Sequence, residues 1–202
     1  MARLTGPKHK LCRRAGMPLC GSPNCPALKR PYPPGQHGQS RRKKTSEYGT
    51  QLLEKQKLKH IYGVQERQFK RYYGEALRRE GVTGDRLLTL LETRLDNVVF
   101  RLGFARTIYR ARQIVAHGHI QVNGKRVDIP SFHVRVGDTI GLNERATKLK
   151  LADNALEETI IVPPYLSFDS ERRVGQLVRE PLRAEIPIAI SESLVVEYYH
   201  SR

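Results

Sequence analysis

No apolar run of 18 residues or more occurs in the sequence, which excludes a membrane-spanning helix of the usual length. The basic opening MARLTGPKHKLCRR is followed by no apolar stretch, so it does not read as a secretory signal. Cysteine is scarce: there are 3, all within residues 12–25, and an odd, clustered set does not make a disulfide framework. That usage fits the cytoplasm or an organelle with a similarly reducing interior. Catalytic patterns are also missing. The chain has no phosphate-cradling glycine loop, no Ser/His/Asp set and no paired carboxylates in an apolar setting. Asp169, Glu171 and Glu180 lie in a charged stretch without a partner nucleophile. The sequence therefore argues against an enzyme.

Acidic side chains are rare where basic ones are dense. Of 202 residues, 36 are Lys or Arg and 20 are Asp or Glu, for a formal net charge of +16. Residues 1–50 hold 11 basic side chains against Glu47 alone, residues 51–150 hold 20 against 10, and residues 151–202 hold 5 against 9. Self-repulsion of this size disfavours a compact chain unless a polyanion neutralises it, so a nucleic acid is the default partner. The contacts belong to the first three quarters of the chain, and binding must weaken steeply with salt.

Residues 1–45 read as an extended arm. They carry 7 of the 12 prolines, with glycines between them, and cannot bury enough apolar area to offset their own ordering entropy. Such a segment needs a metal, an RNA surface, or both. Helical patterning begins at Ser46, an N-cap candidate, and runs to Gly63. A second helix is expected over 65–79, where Phe69, Tyr72, Tyr73, Ala76 and Leu77 fall at helical spacing, and a third from Thr83 towards Leu102. Thr107 should cap a fourth helix ending near His117, with Ile108, Ala111, Ile114 and Val115 on its apolar face. Asn123-Gly124 between alternating runs predicts a hairpin over 119–129, because a type I′ turn requires positive φ at both central residues. Val134, Val136 and Ile140 suggest a further strand, and the runs 159–162 and 194–199 look β-like.

The helix 107–117 and its hairpin form the most informative local unit. Arg106, Arg110, Gln113 and His117 share one helix side, beside a turn carrying Asn123, Lys125 and Arg126. Rigid elements bearing Arg and Lys in this way suit phosphate positioning better than base reading, although an ordinary solvated basic helix has the same pattern. Arg112, His117 and His119 are further candidate RNA contacts, the two histidines serving alternatively as helix caps. In the arm the candidates are Arg13, Arg14, Arg30 and the run Arg41, Arg42, Lys43, Lys44. The arm also contains His9-x2-Cys12 and Cys20-x4-Cys25, two close pairs that suit tetrahedral Zn²⁺ in a closed, structural site. His37 is the rival fourth ligand to His9. The bland alternative is three free cysteines with His9 touching phosphate.

Arg94-Leu95-Asp96-Asn97-Val98-Val99-Phe100-Arg101-Leu102-Gly103-Phe104-Ala105, Ala111-Arg112-Gln113-Ile114-Val115 and His117-Gly118-His119-Ile120-Gln121-Val122-Asn123-Gly124 resemble the RNA-binding domain of the bacterial-type small-subunit ribosomal protein four family. Arg30-Pro31-Tyr32-Pro33-Pro34-Gly35-Gln36-His37-Gly38, Glu54-Lys55-Gln56-Lys57-Leu58 with Tyr62-Gly63, and Val195-Val196-Glu197-Tyr198-Tyr199 resemble flanking motifs of that family, in its order. The chain departs from the family at Ile108-Tyr109, where paired arginines are common; Arg106 and Arg110 can supply the charge, and Tyr109 can stack or pack. Some members of the family carry four cysteines in the arm and others none.

The expected fold is α+β: an N-terminal extended zinc-stapled arm over 1–45, a mostly helical domain over 46–91 completed by 156–202, and an inserted small RNA-binding domain over 92–155 with two helices, a β-hairpin and short strands. The resemblance implies direct binding to small-subunit ribosomal RNA, a role in nucleating subunit assembly, and a contribution to translational accuracy. It also implies a position by the messenger entry path, contact with ribosomal protein five of the small subunit, and in some relatives repression of their own messenger. Two other classes use the same RNA-binding domain: an RNA-modifying enzyme carrying it as an appendage, and a free regulatory RNA-binding protein.

Overall fold

The computed structural model describes residues 6–40, 44–148 and 162–200 and divides into two compact units, Met1–Leu87 with Ile188–Arg202, and Leu88–Pro187. The first unit is helical: α1 (Lys8–Ala15), α2 (Pro26–Lys29), α3 (Glu47–Ile61), α4 (Glu66–Arg78) and α9 (Glu192–His200), with α5 (Thr83–Glu92) starting at its boundary. The arm is therefore not merely extended. It contains two short helices, and Cys12, Leu19, Cys20, Cys25 and Ala27 are buried.

Ser46 does cap α3: its hydroxyl accepts from the Gly49 amide at 3.2 Å, satisfying a donor that the first turn leaves unpaired. Gly63, at φ 60°, lets the chain leave the helix through a left-handed residue. The run 194–199, β-like by composition, is helical instead. As a helix it sets Val195 and Tyr198 three residues apart on a buried face against α3, and that packing outweighs β propensity. Tyr199 stacks on Tyr73 with ring centroids 4.6 Å apart, and the buried Lys55 ammonium sits 4.4 Å from the Tyr198 ring centroid.

Glu66 ties α3, α4 and α9 together. Its carboxylate accepts from Lys55 Nζ at 2.8 Å, Lys59 Nζ at 3.0 Å and the Tyr199 hydroxyl at 2.8 Å. Partial burial raises its pKa, but these donors outweigh burial and hold it at about 2. A depressed carboxylate contributes stability above its unfolded value of about 4.3, and that contribution disappears as pH falls towards 2. Acid titration of wild type against Glu66→Gln should therefore show a stability gap at pH 7 that closes between about pH 5 and 2. Because Glu66 is nearly half exposed, the gap should be no more than about 1–2 kcal/mol.

The second unit packs α6 (Leu95–Arg101) and α7 (Ile108–Ala116) on an antiparallel sheet of β1 (Ile120–Val122), β2 (Lys125–Arg126), β3 (Thr139–Leu142), β4 (Leu166–Asp169) and β5 (Val174–Leu177), in the order β2-β1-β3-β5-β4. A short helix α8 (Glu144–Lys148) follows β3. The core joins Leu95, Val98, Val99 and Leu102 of α6 to Ala111, Ile114 and Val115 of α7, and to Ile120, Ile140 and Leu177 of the sheet. The Asn123-Gly124 turn has φ of 50° and 75°, and Val122 pairs with Lys125 across it, as a type I′ hairpin requires.

Three expectations change here. The helix expected from Thr83 to Leu102 breaks at Thr93-Arg94. Arg94 is extended and bridges His133, while the Leu95 and Asp96 amides donate to the Phe132 and Pro130 carbonyls at 2.8 and 3.1 Å. The new helix start thus takes its acceptors from the 130–133 loop. Val134 forms no strand with Ile140; its amide instead donates to the Thr93 carbonyl at 2.9 Å. Residues 162–187, read from sequence as part of the helical domain, supply β4 and β5 to this sheet. Tyr165 is anchored there by a 2.9 Å hydrogen bond to Glu92 Oε2. The run 159–162 lies outside the described residues except for Val162.

Candidate nucleic-acid face and metal-ligand cluster

The second unit carries the basic face. Thr107 caps α7 by accepting from the Arg110 amide at 3.3 Å, which fixes where the helix side chains point. Arg106 and Arg110 are exposed, and Arg110 also donates to Gln113 Oε1 at 3.1 Å. His117 ends the helix in the open, and Lys125 and Arg126 are exposed on β2. Gly118, at φ 70°, stands where a Cβ would overlap the Arg126 guanidinium, so glycine here lets Arg126 lie across the α7–β1 turn. His119 is half-buried. Burial and the positive fields of His117, Arg145, Arg110 and Arg126 lower its imidazole below the ordinary value, and the His117 ring centroid lies 6.1 Å from its own.

Sequence reasoning missed Arg145, on a helix too short to announce itself. Asn143 positions it: its side-chain oxygen accepts from the Ala146 amide at 2.8 Å, starting α8. Its side-chain nitrogen donates to the Gly118 carbonyl at 2.8 Å, and its backbone amide to the His119 carbonyl at 3.0 Å. Among the described residues no acidic side chain pairs with Arg110, Lys125, Arg126 or Arg145.

Two of the residues expected to touch RNA make hydrogen bonds within the unit. Arg112 turns inward: Nε and Nη2 donate to Asp96 Oδ2 at 3.0 and 2.6 Å. Asp96 is fully buried and accepts as well from Arg94 at 3.0 and 2.7 Å, so Arg112 fastens α7 to α6. Asn123 bonds Asp138 and Thr139, through Nδ2 to Oδ1 at 2.8 Å and Oδ1 from the Thr139 amide at 2.9 Å, and so fixes the hairpin tip. Glu92 is a second interior acceptor, bound by Arg101, Asn97 and Tyr165.

In the first unit Arg14, Arg30 and Lys44 are exposed. Arg13 is partly engaged; it lies 4.8 Å from the Tyr32 ring centroid and donates to the Tyr32 and Pro33 carbonyls at 3.1 and 3.4 Å. Arg41, Arg42 and Lys43 lie outside the described residues.

The arm's helices bring the four candidate ligand side chains together. Positions 9 and 12 share one face of α1, the turn through Gly16 (φ 73°) carries the chain back to Cys20, and Cys25 precedes α2. The donor atoms of His9, Cys12, Cys20 and Cys25 all lie within 4.8 Å of one another. His9 Nδ1 is 3.7 Å from the Cys20 sulfur and 3.8 Å from that of Cys25. Those separations approach the edge of a tetrahedron with metal–sulfur bonds of about 2.3 Å and metal–nitrogen bonds of about 2.0–2.1 Å, which is about 3.5–3.8 Å. The cluster can thus hold a metal ion. Burial, with the Cys20 and Cys25 sulfurs beside it, pushes the Cys12 thiol up to about 12, so a cation must displace the protons of these thiols. His37 is not part of the group; it is exposed, and its carbonyl accepts from Ser40 Oγ at 2.7 Å.

Residues 3–92 match the ribosomal protein S4/S9 N-terminal domain, and residues 93–140 match the S4 domain. The chain belongs to the ribosomal protein S4 family. It is 53% identical over 199 residues to the small ribosomal subunit protein uS4 of Lysinibacillus sphaericus, with 98% of this chain and 99% of the relative covered. The uS4 of Geobacillus stearothermophilus is 52% identical with the same coverage, and that of a Thermoanaerobacter species 53% over 205 residues. In this S4-family chain the two matched regions meet between Glu92 and Thr93, at the end of α5. No helix among the described residues is long and apolar enough to cross a membrane.

Proposed function

We propose that the chain is a non-catalytic structural protein of the small ribosomal subunit that binds small-subunit ribosomal RNA directly through fixed positive charge. The observation that carries this reading is the set of exposed cations Arg110, Lys125, Arg126 and Arg145, with Arg126 lying against Gly118 and the start of α8 tied to Gly118 and His119 through Asn143. Helix caps and a type I′ turn hold these groups in place, and such preset cations suit RNA phosphates rather than base edges. Arg14, Arg30 and Lys44 are exposed cations of the first unit and supply a second set of RNA contacts. Binding separate RNA helices through the two sets lowers repulsion between them and selects one arrangement of a junction. That action is the physical basis for a role in nucleating subunit assembly. Contact with ribosomal protein five and with messenger near its entry path, an influence on decoding accuracy, and repression of its own messenger extend the same reading. They accord with a ribosomal, cytoplasmic or organellar, location. The four-donor cluster takes a structural Zn²⁺, since three thiolates and one imidazole in a closed tetrahedral set match that ion's preference. The ion supplies a cross-link that orders the arm.

A filter-binding series against small-subunit ribosomal RNA tests the RNA reading. Each phosphate contact contributes about 0.7–0.9 to the slope of log affinity against log salt. Combined Ala substitution of Arg110, Lys125, Arg126 and Arg145 should flatten that slope by roughly 3 and weaken binding at least a hundredfold at 0.1 M salt. An unchanged slope and affinity would refute the assignment of this face.

A further inference from the structure

One buried imidazole belongs to neither the basic face nor the ligand set. His60 lies in the last turn of α3, only 9% exposed, with Nε2 3.9 Å from the Cys12 sulfur. The same ring hydrogen-bonds the Lys8 backbone, one turn before Cys12, so both of these contacts fall on α1. His60 is not a fifth ligand. The donor atoms that close on one another within 4.8 Å are those of His9, Cys12, Cys20 and Cys25.

The charge of a loaded cluster gives this ring a purpose. Three thiolates against one divalent cation leave a net charge of about minus one among side chains with almost no access to water. A metal-bound thiolate keeps lone pairs that accept hydrogen bonds; a neutral imidazole offers one N–H, and because the Cys12 sulfur and the Lys8 carbonyl oxygen are 3.6 Å apart, that N–H can be shared between the two acceptors. We infer that His60 is the hydrogen-bond donor to the metal-bound Cys12 sulfur, and through it a positioning residue of the metal centre. By donating from α3 to a ligand on α1, His60 disperses the excess charge, orients Cys12, and makes metal affinity depend on the packing of the arm against helix α3. This inference rests on the metal-binding reading above.

The test uses the full chain as wild type, His60→Phe and His60→Gln, each loaded with Zn²⁺ in competition with a chelator and separately with Co²⁺. His60→Phe keeps ring volume without the donor, and should weaken Zn²⁺ binding about tenfold or more. It should also move the sulfur-to-cobalt charge-transfer band to lower energy, because a sulfur that loses a hydrogen bond is easier to oxidise. His60→Gln restores an N–H donor and should recover part of both changes. Should the Phe variant fold poorly, the band position of the Gln variant decides: near wild type it supports the donor role, moved clearly to lower energy it overturns that role. Equal affinity and an unmoved band in a folded Phe variant would overturn the inference alone. A wild-type protein that binds neither ion would overturn the metal reading and this inference with it.

Discussion

Asp96→Ala is expected to destabilise the Leu88–Pro187 unit by about 3–5 kcal/mol, the range for breaking one side of a buried ion pair. Asp96 has no exposed side-chain surface and is the acceptor for two guanidinium groups: Arg94, 1% exposed, and Arg112, 15% exposed. Removing the carboxylate strands two cations in the interior, one of which cannot reach water without undoing the α5–α6 break. A domain of this size has about 5–15 kcal/mol in total, so the loss is a large part of it. Arg112→Ala should be milder, because Arg94 still pairs Asp96 through two hydrogen bonds. Urea melts of both variants check the order. RNA affinity provides a second readout: Asp96→Ala should reduce it through the fold, whereas Arg112→Ala should leave the salt slope at its wild-type value. If Arg112→Ala matched the slope change of Arg126→Ala, the inward role of Arg112 would be wrong.

Stripping the metal, or replacing Cys25 with Ser, should abolish ordered structure in residues 6–40. Helix α1 buries only Cys12 and α2 only Ala27, so little apolar packing remains once the cross-link is gone. Structural zinc in small peptides contributes on the order of 10–16 kcal/mol of apparent binding free energy near neutral pH, all of it available for ordering the chain. Mass spectrometry of the native protein should find one ion per chain. The ion should be lost in Cys25→Ser and His9→Ala and retained in His37→Ala. Limited proteolysis should then cut the arm of the stripped protein at least tenfold faster while α3 and α4 resist. Acid should release the ion in the same way, since protons compete for sulfurs whose intrinsic affinity for them is high. A stripped arm as protease-resistant as the loaded one would mean that the metal is dispensable for its order.

The parts visible in sequence were those governed by local chemistry. Ser46 and Thr107 announce caps, Asn123-Gly124 announces its turn, and the His9/Cys12/Cys20/Cys25 spacing picks out the four side chains that meet. What stayed hidden depends on partners distant in the chain. Arg112 looks like one more exposed cation on a basic helix until Asp96, sixteen residues earlier, claims it. The helix break at Arg94 is set by carbonyls at 130 and 132, and the 194–199 run is helical because α3 offers it a face. Arg145 escaped notice for another reason. It owes its position to Asn143, whose contacts are to the backbone of Gly118 and His119 and leave no periodic trace.

The first unit is discontinuous: α3 and α4 need α9, and residues 79–191 lie between them. Synthesis at about 5–20 residues per second therefore separates the emergence of α4 from that of α9 by roughly 6–23 s. During that interval the face of α3 that will receive Val195 and Tyr198 has no cover, while every strand of the sheet is delivered before α9. The intervening unit has time to close on itself first. The nascent helical unit must wait with an apolar face exposed, a window in which a chaperone, or an early grip on RNA by the arm, protects the chain from aggregation.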